Sequence, residues 1–297
     1  MMTNNVTILE ALTWGETQIK TTLHEKKYQG HRPKLDAQIL LALALNRPTS
    51  YLISHLTDEL LPEIQEKYLR LIERRARHEP VAYITGEKSF YSRSFLVNPG
   101  VLIPRPDTEV MIEEVLKRLS LNALVIDVGT GSGVIGVTLA AEANHPIIAT
   151  DTSTNALQVA KANARALGVE HLLSFEQASL LGALALQSYA TAPSLIIAAN
   201  LPYLPLRYKT EMDPDVMNYE PHEALFAGVD GLDAYDALLL QIKTRRNELP
   251  KHIELLMEID PDQAISLPRL VQSFFPSAKI EVVNDLSRQP RVVIAIL

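Results

Sequence analysis

The sequence predicts an α/β fold, in which a doubly wound, mostly parallel sheet follows a small bundle of helices. Residues 1–80 carry apolar residues at helical spacing and almost no strand pattern. From Leu124 to the end, short apolar runs alternate with helical segments, which is typical of a sheet covered by helices. Apolar residues make up 47% of the 297 residues, which is enough to fill the cores of two domains.

The first domain, residues 1–80, is predicted to contain three helices. Residues 7–10, Thr-Ile-Leu-Glu, form the capping-box pattern that starts a helix. Pro33 marks the start of a second helix, and residues 61–77 form a third whose basic end suits the negative end of the helix dipole. The residues alone leave open whether this domain is purely structural or helps to bind a macromolecular substrate.

Residues 81–101 are predicted to form a β-hairpin linker, because short alternating segments with aromatic residues replace the helical pattern. Residues 102–297 follow as the catalytic domain. Asp107 or Thr108 is expected to cap the helix that starts directly afterwards. The two prolines that flank Arg105 indicate either a rigid approach to that helix or a wall of a ligand pocket.

The catalytic domain is predicted to alternate strands and helices along its length. Its last two strands are expected to form a hairpin, which would place one antiparallel strand in the sheet. The predicted strands are 124–128, 147–150, 172–175, 195–199, 253–259, 279–283 and 291–296, and the later predicted helices are 155–167, 232–246 and 263–274, with another starting near 133.

The composition excludes several classes of protein. The chain has no cysteine, which excludes disulfides and thiolate metal sites, and its eight histidines lack ligand spacing, so no metal is expected. The formal charge of -7 argues against a partner held through phosphates, so nucleic acid is not expected. Residues 1–5 lack a signal-peptide pattern and no apolar run of about 18 residues follows, so we expect a soluble, cytoplasmic protein without a membrane segment.

A glycine-rich loop joins the first predicted strand of the catalytic domain to its helix. Glycines in this position let the backbone turn tightly and approach a ligand, and Asp151, at the end of the next strand, can accept the hydroxyls of a ribose. The loop also fits a dinucleotide pattern. An acid directly before the glycines suits the amino group of a methionine-like tail, so S-adenosylmethionine is favoured over a dinucleotide. The candidate cofactor-binding residues here are Asp127, Gly129, Thr130, Gly131, Ser132, Gly133 and Asp151.

A second candidate site follows the buried strand 195–199. The sequence continues Asn200, Leu201, Pro202 and Tyr203 at the carboxyl end of the strand, where open α/β sheets bind ligands. The side-chain oxygen of Asn200 and the carbonyl of Leu201 are two acceptors that match the two hydrogens of an amide NH2 group. The same residues are also ordinary turn chemistry after a strand.

At this point the chain resembles the release factor glutamine methyltransferases of the PrmC/HemK family. The resemblance covers nearly the whole chain, and residues 102–109, Leu-Ile-Pro-Arg-Pro-Asp-Thr-Glu, are its most discriminating part. Further matches lie at 79–86, 220–226, 230–232 and 291–294.

The resemblance implies a Rossmann-like class I methyltransferase fold behind a helical domain that grips the substrate. It implies methyl transfer from S-adenosylmethionine, leaving S-adenosylhomocysteine, to the glutamine amide nitrogen in the Gly-Gly-Gln loop of peptide chain release factors. A monomeric enzyme is expected. The implied substrate-binding and catalytic residues are Asn200, Leu201, Pro202 and Tyr203; Ser179, Leu180 and Asn200 join the cofactor site.

Two departures from the family pattern keep other functions open. Leu201 stands where the family usually has proline, and Asn-Leu-Pro-Tyr is the form seen in ribosomal RNA adenine dimethyltransferases. Ser179 stands where related sequences tend to carry an acid. The alternatives are therefore an adenine-N6 methyltransferase acting on RNA or DNA, and a protein that binds S-adenosylmethionine without catalysis.

Overall fold

The structure is a computed structural model that describes residues 6–23, 32–182 and 184–297. It divides into two compact units. The helical unit is drawn from Met1–Glu87 and Met212–Tyr219, and the sheet unit from Lys88–Glu211 and Glu220–Leu297. Residues 1–5, where the sequence predicts no signal peptide, lie outside the described part.

Helices occur in both units of the described chain. They are α1 (Ile8–Thr22), α2 (Pro33–Leu45), α3 (Thr49–Ser54), α4 (Pro62–Ala76), α5 (Val81–Thr85), α6 (Glu109–Arg118), α7 (Val134–Ala143), α8 (Thr154–Ala166), α9 (Pro214–Tyr219), α10 (Asp233–Thr244) and α11 (Ser266–Phe274).

The strands form a two-stranded sheet and a seven-stranded sheet. They are β1 (Glu87–Phe90), β2 (Arg93–Leu96), β3 (Leu124–Val128), β4 (Ile147–Asp151), β5 (Leu173–Gln177), β6 (Leu195–Ala199), β7 (Ile253–Glu258), β8 (Lys279–Asn284) and β9 (Pro290–Ile296).

The helical unit confirms the three predicted helices, which are α1, α2 and α4. The capping box of α1 is complete, since the Thr7 hydroxyl accepts from the Glu10 amide at 3.3 Å and the Glu10 carboxylate accepts from the Thr7 amide at 2.8 Å. The short helices α3 and α5 were not predicted. The predicted hairpin linker 81–101 is therefore wrong for its first residues, because Pro80 starts α5 and Gly86 ends it in the left-handed conformation.

Residues 212–219 join the helical unit through buried ion pairs. The guanidinium of Arg75, whose side chain is 3% exposed, lies 2.8 Å from both Asp36 and Asp215. The Tyr219 hydroxyl donates to the Arg77 carbonyl at 2.8 Å. His78 also pairs with Asp215, at 3.0 Å. Because Asp215 pairs with the buried Arg75 of the helical unit, we assign this cluster a structural role.

The seven-stranded sheet confirms the predicted doubly wound fold. Its strand order is β5-β4-β3-β6-β7-β9-β8. The first five strands of that order pair in parallel, and β9 runs antiparallel to both β7 and β8, as the predicted closing hairpin requires. Successive residues of β6 alternate between two cores: Ile196 packs in the core that contains Met111 of α6, and Ile197 in the core that contains Leu238 of α10.

The register of the central strands aligns the places where their loops begin. Val128 of β3 pairs with Ala199 of β6, and Ala199 pairs with Met257 of β7. The next residues are Gly129, Asn200 and Glu258. Gly129 and Asn200 therefore begin the loops after β3 and β6 at the level of Glu258, the last residue of β7.

Within the described residues, no helix has the length and apolar character needed to span a bilayer.

We expect the Thr7→Ala substitution to lower the free energy of unfolding of the helical unit by about 1 kcal/mol, because it removes the helix cap. Urea denaturation followed by fluorescence measures this directly, since Trp14 in α1 is the single tryptophan of the chain. Thr13→Ala is the matched control, because the Thr13 hydroxyl only bonds the Leu9 carbonyl within the helix. Equal losses in the two variants would contradict the capping role.

Candidate functional site

A cavity of about 610 Å³ lies in the sheet unit at the carboxyl ends of the parallel strands. This volume is in the range of sites for small molecules and cofactors. Its walls come from the loop after β3, the ends of β4 and β5, the residues after β6 and the stretch before α6. Of the residues predicted from the sequence, those on the wall are Gly129, Thr130, Gly131, Ser132, Asp151, Leu180, Asn200, Leu201 and Pro202.

The glycines of this loop have positive φ values, which residues with side chains rarely adopt. Gly129, Gly131 and Gly133 have φ values of +72°, +56° and +83°. A Cβ atom on Gly129 would lie 2.8 Å from Leu201 Cδ2, and one on Gly133 would lie 2.9 Å from Ala160 Cβ. Gly129 is therefore needed for contact with the motif after β6, and Gly133 for packing against α8, away from the cavity wall.

Asp151 shapes the loop from the end of β4. One carboxylate oxygen accepts from the Gly131 amide at 2.9 Å, and the other accepts from the Ser153 amide at 2.9 Å. The side chain also lies on the cavity wall. Each oxygen keeps a lone pair, so the carboxylate can still accept hydroxyl groups of a ligand.

Asp127 lies behind the loop and is fully buried. Its Oδ2 accepts from the Thr130 hydroxyl at 2.6 Å and from the Gly136 amide at 2.8 Å. Its Oδ1 has no hydrogen-bond partner among the described residues. Burial raises the pKa of the carboxyl to about 6. Asp127 therefore braces the loop, and its contact with a cofactor amino group stays a prediction.

The segment after β5 presents Leu180 rather than Ser179. Leu180 lies on the wall with a left-handed φ of +57°. Ser179 is exposed and is not among the wall residues, and its carbonyl accepts from the Gln241 side chain at 3.3 Å. This agrees with an apolar contact by Leu180 at this end of the cavity, while a role of the Ser179 side chain stays a prediction.

Asn200 is fixed by a residue that the sequence assigned to a helix cap. Its Nδ2 donates to the Thr108 hydroxyl at 3.2 Å. Thr108 is buried and precedes α6, but its side chain makes no capping hydrogen bond, so the predicted capping role is wrong for the hydroxyl. Asn200 Oδ1 accepts no hydrogen bond within the described part of the chain, which leaves it available to a ligand.

Tyr203 turns its hydroxyl into the protein. The hydroxyl donates to Glu258 Oε1 at 3.2 Å, and burial raises the pKa of the phenol. The ring is not among the residues that line the cavity. The predicted packing of Tyr203 on a substrate amide stays a prediction.

Glu258 is the functional candidate that sequence reasoning missed. It ends β7 with a side chain that is 1% exposed, and its Oε2 has no hydrogen-bond partner among the described residues. Burial raises its pKa to about 7, against the opposing effects of the Thr108 hydroxyl, Arg291 and the Tyr203 hydroxyl. The available signal was an acid directly after the apolar run Leu255–Met257 at the end of β7.

The stretch before α6 forms a wall of the cavity, as one of its two interpretations predicted. Arg105 lies on that wall and pairs with the buried Glu220 at 2.5 Å. The other oxygen of Glu220 accepts from the Ile103 amide at 3.2 Å. This carboxylate therefore ties the segment down and neutralises Arg105.

Two family descriptions match this chain. Residues 10–86 match the PrmC N-terminal domain, and residues 119–204 match a methyltransferase domain.

Curated relatives extend the similarity over nearly the whole chain. A release factor glutamine methyltransferase of Bacillus cereus is 33% identical, over 97% of this chain and 98% of the relative. Another, of Koribacter versatilis, is 37% identical, over 88% of this chain and 90% of the relative. A bifunctional methyltransferase of Rickettsia typhi is 35% identical over 88% of this chain, which spans only 53% of that relative.

Solved structures support the fold. The catalytic domain of hMettl16 in complex with a 3'UTR hairpin superposes with a TM-score of 0.53 at 15% identity, over 68% of this chain and 74% of that chain.

We expect the Glu258→Gln substitution to stabilise the protein increasingly as the pH rises from about 5 to 8. The folded-state pKa of Glu258 is raised from 4.5 to about 7. The protonated carboxyl therefore stabilises the folded state, fully below pH 4.5, and this stabilisation is lost as the pH rises through 7. The neutral amide avoids this loss, which amounts to at most about 3 kcal/mol. Denaturant unfolding at several pH values measures the difference.

Glu176→Gln on β5 is the matched control, because the exposed carboxyl stays in contact with water. A difference between wild type and Glu258→Gln that does not change with pH would show that Glu258 is not a penalised buried carboxyl.

Proposed function

The chain belongs to the release factor glutamine methyltransferase family, and we propose that it methylates the glutamine of the Gly-Gly-Gln loop in peptide chain release factors. The methyl group would be transferred from S-adenosylmethionine to the side-chain amide nitrogen of that glutamine. The observation that carries the proposal is one cavity that contains both the glycine loop with Asp151 and the acceptor pair of Asn200 and Leu201.

The residues around the cavity fit an adenosine-bearing cofactor. A Cβ atom on Gly131 would meet no atom closer than the Gly129 oxygen at 4.0 Å, so the loop backbone faces open space. Asp151 offers carboxylate oxygens for ribose hydroxyls, and Leu180 offers an apolar surface for a base. When bound, S-adenosylmethionine supplies a methyl group on a positively charged sulfur. Gly129–Ser132, the residues of the loop on the cavity wall, would hold its methionine part.

Asn200 and Leu201 would position the substrate. An amide nitrogen is a weak nucleophile because its lone pair is shared with the carbonyl. The Asn200 oxygen and the Leu201 carbonyl can accept both amide hydrogens and so direct the face of the nitrogen toward the methyl group. Because positive charge grows on nitrogen during transfer, these acceptors bind the transition state more strongly than the ground state.

We assign the departing proton to water. The buried Glu258 carboxyl is not among the residues that line the cavity, which argues against its acting as a general base. Pro202 stiffens the chain after Leu201, so the acceptors keep their direction while the proton leaves.

The helical unit would bind the release factor. Its match to the PrmC N-terminal domain supports this role, and the macromolecular substrate needs a larger contact surface than the cavity offers.

Leu201 favours one alternative function, methylation of adenine in nucleic acid. Its motif, Asn-Leu-Pro-Tyr, is the form seen in ribosomal RNA adenine dimethyltransferases. A flipped adenine would present its amino group to the same two acceptors. The formal charge of -7 argues against it, since nucleic acid is usually held by a basic surface. A protein that binds the cofactor without catalysis is the remaining alternative.

We expect the Gly129→Ala substitution to reduce affinity for S-adenosylmethionine about tenfold or more. The new Cβ must sit at a positive φ and within 2.8 Å of Leu201, and the backbone strain alone costs roughly 1–2 kcal/mol. Calorimetric titration measures the affinity. Gly168→Ala is the matched control, because Gly168 has a φ of +74° with no atom within 4 Å. Comparable losses of affinity would show that only general strain is involved.

The proposed function is tested by transfer of radiolabelled methyl groups from S-adenosylmethionine. The acceptors are a purified release factor, the same factor with its Gly-Gly-Gln glutamine changed to alanine, and ribosomal RNA. We expect label on the unchanged factor alone. Label on RNA would establish the adenine alternative, and cofactor binding without label on any acceptor would establish the non-catalytic one.

In the same assay we expect Asn200→Ala to abolish turnover, because it removes an acceptor that acts in the transition state. Affinity for the cofactor should change by only a few-fold, since the loop and Asp151 remain. Parallel losses of turnover and cofactor affinity would contradict this division of roles.

A further inference from the structure

We propose that Thr108 is a positioning residue that holds the Asn200 side chain with its oxygen toward the substrate amide. The inference rests on the proposed function and adds one residue to it. The Thr108 side chain is not required to touch the substrate.

The Thr108 hydroxyl is committed to Asn200. It is buried, it lies 3.2 Å from Asn200 Nδ2, and it makes no capping bond to α6. Thr108 also lies on the cavity wall, directly beside the acceptor pair. A purely local role in starting the helix therefore does not explain the hydroxyl.

A hydroxyl can meet a side-chain amide in two ways. It can accept a hydrogen from the amide nitrogen, or it can donate its own hydrogen to the amide oxygen. In the first case Asn200 Oδ1 faces the cavity and can accept a substrate hydrogen. In the second case Nδ2 faces the cavity and repels the substrate NH2 group. The direction of the hydrogen bond between Thr108 and Asn200 thus decides whether Asn200 presents an acceptor or a donor to the substrate.

The structure has the first of these arrangements. Asn200 Nδ2 donates to the Thr108 hydroxyl at 3.2 Å, and Oδ1 is left as the side-chain atom that can accept from a ligand.

The test compares Thr108→Val, which removes the hydroxyl at nearly constant shape, with Thr108→Ser, which keeps it. We expect Thr108→Val to lower kcat for release factor methylation about 10- to 100-fold, without a comparable change in KM or in cofactor affinity. Thr108→Ser should restore most of the kcat. Thr138→Val is the matched control, since the Thr138 hydroxyl is fully buried without a partner among the described residues.

A second measurement does not depend on turnover. The side-chain NH2 resonances of Asn200, assigned with Asn200→Asp, are followed by NMR with S-adenosylhomocysteine present. We expect them to change in chemical shift in Thr108→Val, which removes the acceptor of the Asn200 NH2 group, and to stay close to the wild-type positions in Thr108→Ser.

The outcomes separate this inference from the proposed function. Wild-type methylation of the release factor with an unchanged kcat in Thr108→Val would overturn the positioning role alone. A wild type that methylates no release factor would overturn the proposed function, and the NMR measurement would then decide the positioning role. Asn200 resonances unaffected by Thr108→Val would overturn it.

Discussion

The site depends on the parallel, in-register pairing of β3, β6 and β7. Because Val128, Ala199 and Met257 lie side by side, these three neighbouring strands end within one residue of the same level. The glycine loop then meets the Asn-Leu-Pro-Tyr motif closely enough that Leu201 occupies the space a side chain on Gly129 would need. The positions of the two loops are thereby linked by the packing of Leu201 on Gly129.

Buried carboxylates brace each of these loops from inside the protein. Asp127 and Asp151 hold the glycine loop, Glu220 holds the stretch around Arg105, and Glu258 lies beneath the motif after β6. Burial raises the pKa of Asp127 to about 6 and that of Glu258 to about 7. Such groups cost stability near neutral pH, so their retention is better explained by the positions they impose than by the stability of the fold.

Much of this architecture could be predicted from the sequence, because apolar runs of strand length and helical spacing are local signals. β6 was predicted with its observed bounds. The glycine loop after β3 and the position of Asp151 at the end of β4 were also predicted. The place of residues 212–219 in the helical unit depends on tertiary contacts such as that of Arg75 with Asp215. The hydrogen bond between Thr108 and Asn200 could not be predicted from the sequence, because the two residues are far apart in the chain. The local pattern assigned Thr108 to a helix cap instead.

The most direct test of the whole account is a crystal structure of the protein with S-adenosylhomocysteine and a peptide that contains Gly-Gly-Gln. We predict that the cofactor product lies against the glycine loop with its ribose at Asp151, and that the glutamine NH2 group donates to Asn200 Oδ1 and to the Leu201 carbonyl. A glutamine side chain held away from Asn200, or a cofactor product outside the cavity, would contradict the claim that strand register builds one methyl-transfer site from these two loops.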